Sequence, residues 1–297
     1  MQWLYFGEMR LLFIGWSTMT SKAHLFTKIV LLTATLAVLV PKVAADTSVL
    51  ASCPQYQYSA IKADVIGRVR AVAEGELLYC EYHIFDNNDD VQPSIKKTNV
   101  EYRAPDQTLI ATKSVDYTPG LLRPDVVQID LRHNELRSSL DSSSKIQATT
   151  KDSSQKSVID VSYRQPNSDE LVSKEVNAED MLVIDAGFDE AVKEYWYDLM
   201  RGEKLIINFL SPRLLRAIKL TVSRSSNDNC YQEVYDKKTQ VCFLISPSNI
   251  VLNLFVKPLS LTYDLASRRL LRFKGDVNIT DAQGDTQNAI INYYYAD

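Results

Sequence analysis

Between Ile66 and Tyr294 the dominant rhythm is two, with branched and aromatic residues alternating with polar ones, and that period is what most restricts the fold. Side chains alternate across a β-strand, so branched and aromatic residues at every second position make one face for a core and one for water. The pattern predicts strands at Ile66–Val72, Leu77–Phe85, Lys97–Arg103, Thr108–Val115, Val126–Leu131 and Ser157–Arg164. It continues through Lys204–Leu210, Ala217–Ser223, Tyr231–Tyr235, Gln240–Ile245, Ile250–Val256, Leu259–Tyr263, Arg269–Lys274 and Ala289–Tyr294. Short Pro-, Asp- and Gly-bearing connectors such as Ala104-Pro105-Asp106-Gln107 favour antiparallel neighbours. The expected architecture is mainly β: a curved antiparallel sheet, as a barrel, half-barrel or sandwich, with one packed amphipathic helix.

That helix is where the rhythm breaks. Between Gly187 and Met200 the apolar residues Phe188, Ala191, Val192, Tyr195, Trp196 and Leu199 fall on one stripe of a 3.6-residue period. Asp185 is placed as a cap, Asp189 and Glu190 suit the first turn, and Gly202 supplies a left-handed stop. A second break, Ser138–Ser157, has eight serines and reads as a flexible loop or an irregular edge hairpin. Strands of the same character flank it, so residues 46–297 are read as a single domain.

Residues 1–45 read as an N-terminal signal region. Lys22, His24 and Lys28 precede the apolar run Ile29–Val40, whose 12 residues would form a helix of about 18 Å, short of a hydrocarbon core of about 30 Å. Val43 and Ala45 occupy the small-residue positions before a cleavage site after Ala45, and Met19 is a better start than Met1. Periplasmic or other exported localisation follows, with no retained transmembrane helix. Leu50-Ala51-Ser52-Cys53 also resembles a lipobox, which makes lipid anchoring at Cys53 a minor alternative.

Cys53, Cys80, Cys230 and Cys242 all lie beyond that site, in a compartment where disulfides persist. The expected pairs are Cys230–Cys242, which bracket a turn, and Cys53–Cys80. Cleavage removes four of the 33 basic residues but one of the 37 acidic ones, so the exported chain is more acidic than the net −4 of the whole. An acidic chain lacks the field that releases counterions from phosphate, which argues against nucleic acid as a partner.

The catalytic inventory is thin. His83 and His133 remain after cleavage, neither at metal-ligand spacing, and no H-E-x-x-H, paired C-x-x-C, G-x-S-x-G, G-x-G-x-x-G or P-loop is present. Asp86-Asn87-Asn88-Asp89-Asp90 opens like a calcium loop, but Val91 replaces the turn glycine and Lys97 the bidentate glutamate. No cofactor and no metal are expected, and no catalytic residue is assigned. Asp180, Asp185 and Asp189 around the helix entrance could supply a carboxylate pair, with a hydrolase centred on Asp185 and Asp189; helix capping and dipole complementation account for at least two of them and are the preferred reading.

Aromatic residues are the best ligand-binding candidates: Tyr195, Trp196, Tyr231 and Tyr235 could line a concave sheet face. Arg268, Arg269, Arg272 and Lys274 gather on one strand, either as a solvated face or as an anionic-headgroup site. The segment Asp185-Ala186-Gly187-Phe188-Asp189, with Trp196, Leu199, Gly202 and Phe209-Leu210-Ser211-Pro212, resembles a motif of uncharacterised exported proteobacterial proteins. The likeness runs from the region of Tyr102 to Leu270–Gly275 and Asn278, and it implies an envelope location without implying an activity. The expected function is a noncatalytic exported envelope protein that binds a lipid or other apolar ligand on its curved sheet. The alternatives are a protein–protein interaction module with a filled core, or a carboxylate-dependent hydrolase.

Overall fold

The computed structural model describes residues 53, 63–72, 75–86, 96–142, 157–225, 236, 238–248 and 258–296. The signal region, Cys230, Tyr231, Tyr235, the strand expected at Ile250–Val256 and most of the serine-rich segment lie outside the described residues.

The strands are β1 (Val65–Ala71), β2 (Leu77–Asp86), β3 (Lys97–Arg103), β4 (Leu109–Asp116), β5 (Asp125–Asp130), β6 (Glu135–Asp141), β7 (Val158–Arg164) and β8 (Leu171–Asn177). Then follow β9 (Leu182–Ile184), helices α1 (Gly187–Glu194) and α2 (Trp196–Met200), and β10 (Leu205–Ser211), with a 3-10 turn at Pro212–Leu214. The chain ends with β11 (Arg216–Arg224), β12 (Gln240–Pro247), β13 (Leu259–Asp264), β14 (Leu270–Thr280) and β15 (Thr286–Tyr295). All fifteen form one sheet, in the order β8 down to β1, then β15 down to β9. Every neighbouring pair is antiparallel except β9–β10. The sheet is strongly curved and not closed, because its two ends, β8 and β9, do not pair with each other.

Curvature brings distant strands together. Gln128 Nε2 on β5 reaches the Asn278 carbonyl on β14 at 3.4 Å, and Arg137 Nη1 on β6 reaches Asn278 Oδ1 at 2.9 Å. Arg132 Nη2 donates to the Thr280 carbonyl at 2.7 Å, and His133 Nε2 lies 2.8 Å from the Asp281 carbonyl. The Asn167 amide in turn donates to the His133 carbonyl at 2.6 Å, so the β5–β6, β7–β8 and β14–β15 turns meet at His133. His133, which the sequence leaves without a metal-ligand spacing, is the hub of that junction.

Beyond β14 the sheet rolls inward. Val183 of β9 joins the core made by α1, α2 and β10–β13, whereas Leu182, Ile184 and Leu210 pack against Val115, Val126, Ile159 and Val161 of β4, β5 and β7. Side chains alternate, so both faces of the β9–β10 edge are covered by the rest of the protein. All three residues of β9 are buried. Burial on both faces removes alternation from the sequence, which is why Leu182-Val183-Ile184 carries no strand rhythm.

Besides β9, three elements depart from expectation. Glu135–Asp141 is a strand, so the serine-rich segment begins inside the sheet: Ser138 and Ser139 face Ser162 and Val161 of β7. Leu171–Asn177 is a strand with almost every side chain exposed, so it lacks the apolar face that marks one. The expected helix is broken at Tyr195, whose φ of −95° and ψ of 21° leave the helical range, giving α1 and α2. The stripe still buries Ala191, Val192, Trp196 and Leu199 as expected. Gly202 provides the stop at φ 91°, and its amide donates to the Leu199 carbonyl at 3.0 Å.

The Cys53–Cys80 disulfide is present and pins Cys53 to the outer face of β2, where Ala63, Leu77 and Tyr82 make a separate small core. Closing a loop with a sequence separation of 27 stabilises the fold by about 3–4 kcal/mol on chain-entropy grounds. Cys242 is disulfide-bonded too, its partner lying outside the described residues. Among the described residues no helix is long and apolar enough to cross a membrane.

Candidate functional site

The Asp185–Asp189 segment sits where the rolled-in edge meets the inner face of the sheet. The Ile184 amide donates to the Leu122 carbonyl at 3.0 Å, which clamps β9 onto the β4–β5 connection. At Gly187 a Cβ would lie 2.3 Å from that same carbonyl oxygen, so no side chain fits. Asp185 adopts φ 42°, in the left-handed region, which Asp tolerates better than most residues. The motif is thus the solution to a tight turn from a buried strand into a helix under a crossing loop.

Asp185 does not cap the helix. Ala186 is the N-cap, in helical geometry and without a side-chain hydrogen bond, because the left-handed turn at Asp185 aims its carboxylate the other way, into the roll. There Lys113 Nζ donates to Asp185 Oδ1 at 2.8 Å, and Asn278 Nδ2 lies 3.5 Å from Oδ2. The register puts Lys113 opposite Val100 and Gln128 on the inner face, in the same face as Glu81, Tyr102 and Arg137. Burial disfavours the Lys113 ammonium, but the Asp185 carboxylate, Tyr102 and Glu81 more than offset it and hold its pKa well above the usual lysine value. Tyr102 is pushed the same way, mainly by burial.

Asp189 belongs to a second group. Its Oδ2 receives Lys193 Nζ at 2.7 Å, and Glu190 Oε1 accepts from the same ammonium at 2.9 Å. Asp189 Oδ1 is enclosed, with the Tyr263 hydroxyl beside it. Burial raises the Asp189 carboxyl above the ordinary range, with Lys193 opposing. Tyr117, whose phenol is pushed up to about 12 chiefly by burial, feels Lys113, Glu190, Asp185 and Asp189 together. Both aspartates therefore lie around one tyrosine, each already paired with its own lysine. The arrangement neutralises carboxylates; it presents no nucleophile beside a base.

The aromatic candidates divide. Trp196 is buried, with its ring edge-to-face against Phe243 and Tyr263 at centroid distances of 5.6 and 5.8 Å. Tyr195 donates to the Met181 sulfur at 3.4 Å, and Met181 packs against the edge of the same core. Tyr231 and Tyr235 lie outside the described residues. The basic cluster also divides: Arg268, in a turn at φ 56°, stacks on Trp196 and Tyr197, while Arg269 stacks on Tyr295 and buried Arg272 donates to Asn292 Oδ1 at 2.7 Å. His83 pairs with Glu81 at 3.2 Å and meets the Tyr293 ring edge-on. Among the described residues no group of His, Cys, Asp or Glu is arranged to hold a metal ion.

Lys113, Asn278 and Tyr263 escaped sequence reasoning because they contact the Asp185–Asp189 segment only through the roll of the sheet. Comparison with protein-family models, with curated proteins and with solved structures gives no match.

Proposed function

We propose that this chain is a noncatalytic envelope protein that recognises a partner protein through its outer surface, with the free edge of β8 as the contact. The observation behind this reading is that β8 ends the sheet and carries Leu171 and Val172 at 49% and 42% exposure, without a described strand on its far side. Unpaired edge amides and carbonyls accept an extended segment, and alternate side chains select it. Leu171, Ser173 and Glu175 point to one side and Val172, Lys174 and Val176 to the other. The matching segment carries a cation opposite Glu175, an anion opposite Lys174 and apolar residues opposite the valines. Lys174 and Glu175 also discourage indiscriminate pairing.

Two further features support it. The Cys53–Cys80 bridge suits an exported protein. The concave side beneath α1 and α2 is occupied by Trp196, Phe243, Tyr263 and their neighbours, so Trp196 serves the core. Binding of an apolar ligand on the curved sheet is therefore the second reading.

The test is photo-crosslinking in the intact envelope, with the crosslinker at Ser173 of β8 and, as control, at Lys219 of β11. The reading expects one discrete heteromeric adduct from Ser173, lost when Val172→Pro blocks the edge and absent from Lys219. The same adducts from both positions, a homodimer adduct, or none from Ser173 would overturn it.

A further inference from the structure

The β13–β14 turn, residues 265–269, reaches over α2 and carries two arginines that stack on aromatic rings instead of pairing with acids. Two backbone bonds close the turn, from the Asp264 amide to the Arg269 carbonyl and from the Arg268 amide to the Asp264 carbonyl, both at 3.0 Å. Arg268 then takes φ 56°, which lays its side chain on α2. Its Cζ lies 5.4 Å from the centre of the Trp196 ring and 4.8 Å from that of Tyr197, and its Nη2 donates to the Tyr197 hydroxyl at 2.9 Å. Trp196 is itself held edge-on by Phe243 and Tyr263, so this platform is rigid. Arg269 is placed in the same way: its Cζ lies 4.9 Å from the Tyr295 ring centre, and the Tyr295 hydroxyl donates to the Leu270 carbonyl at 2.9 Å.

Stacking holds a guanidinium by its face and leaves its edge, where the N–H groups point, for other bonds. Arg268 spends one N–H on Tyr197, and among the described residues no carboxylate lies within ion-pair distance of either arginine. The acids nearby are engaged elsewhere. Arg201 takes both Asp198 and Glu203, while Asp264 Oδ1 accepts from the Ala266 and Ser267 amides and the Ser267 hydroxyl. Two guanidinium groups beside the single carboxylate of Asp264 leave the turn positive. Because their rings already fix both side chains, an anion pays little for ordering them. Two adjacent forks also offer more donors than the two oxygens of a carboxylate can accept, whereas a phosphate ester has three free oxygens and up to two charges. We propose that Arg268 and Arg269 form a binding site for a phosphate monoester, with the Tyr197 ring, 65% exposed, beside the group that carries it. The ester belongs either to a lipid headgroup or to a soluble compound.

The test is calorimetric titration of the exported protein with phenyl phosphate and, at the same ionic strength, with benzoate, which keeps the ring and offers a carboxylate. Phenyl phosphate should bind with one-to-one stoichiometry and benzoate more weakly. Arg268→Lys, which keeps the charge but loses the fork and the stacked plane, should weaken phenyl phosphate ~10-fold or more, the scale of a lost charge-assisted hydrogen bond. Lys204→Gln, which removes an exposed charge just before β10, should leave it unchanged. Sedimentation with vesicles of phosphatidylcholine containing phosphatidic acid separates the sources. Capture that Arg268→Lys abolishes assigns the site to a lipid headgroup; phenyl phosphate binding without capture assigns it to a soluble ester. Equal affinity of phenyl phosphate for the parent protein and Arg268→Lys, benzoate binding as tightly as phenyl phosphate, or no phenyl phosphate binding by a parent protein with an intact circular-dichroism spectrum would overturn the proposal. None of these results bears on β8, whose edge is untouched by these variants.

Discussion

Lys113 and Asp185, 72 residues apart in sequence, meet at 2.8 Å inside the roll of the sheet. Their side chains retain 13% and 20% exposure, so the pair is largely removed from water. The contact ties β4 to the turn that leads from the innermost strand into α1. Together with the Ile184–Leu122 backbone bond, it fixes how far the sheet can roll.

Removing one member of this pair strands the other's charge in a poorly solvated place. Breaking a buried pair costs about 3–5 kcal/mol; the residual exposure reduces that to about 2–4 kcal/mol for Lys113→Met or Asp185→Asn alone. The double variant should recover part of the loss. A double-mutant cycle by urea denaturation checks this, and an interaction energy near zero would mean that the pair is not a clasp.

Gly187 and Gly202 respond differently to alanine. At Gly187 the added Cβ meets a backbone carbonyl oxygen at 2.3 Å, and backbone cannot swing aside as a side chain can. At Gly202, φ 91° strains any side chain, but nothing lies within 4 Å. Gly202→Ala should cost about 1–2 kcal/mol, the scale of a left-handed conformation, and Gly187→Ala clearly more. Thermal melts rank them, and equal losses would contradict the close approach.

The pH dependence is set on the alkaline side by Lys113, Lys193 and the enclosed tyrosines. Tyr79, Tyr263 and Tyr293 are raised well above the ordinary 10.0, in each case chiefly by burial. A group whose folded pKa exceeds its unfolded value contributes stability that is complete below the unfolded pKa and lost as pH rises toward the folded one. Stability should therefore fall steeply above about pH 10, the ordinary tyrosine range. Phenolate absorbance near 295 nm should rise in two stages, exposed tyrosines first and enclosed ones together with unfolding. A single reversible transition near pH 10 without loss of structure would contradict the enclosure. Asp189 acts in the opposite range: its raised pKa makes stability fall slightly as pH climbs through and above the normal carboxylate region.

What the sequence discloses and what it hides follow one physical divide. Strands with one wet face, such as β5 and β7, announce themselves by alternation, and the helical stripe does so by its longer period. The same rules miss β9, buried on both faces, and β8, exposed on both. They also miss the break at Tyr195, since Ala191 through Leu199 keep their stripe across it. Cys53 and Cys80 were legible as partners from compartment, number and the turn that Cys230 and Cys242 bracket. Asp185 was legible as an unusual residue but misplaced as a cap, because its true partner, Lys113, is brought to it only by the inward roll.

The two ends of the sheet make the most direct test. In an ordinary open sheet both edge strands exchange their amides quickly. Here β9 lies inside the roll and β8 outside, so hydrogen–deuterium exchange should find Val183 protected to the degree of the central strands β1 and β15, while the β8 amides that do not bond to β7 exchange within seconds. Rapid exchange at Val183, matching β8, would contradict the rolled sheet on which the clasp, the filled inner face and the outward-facing contact all depend.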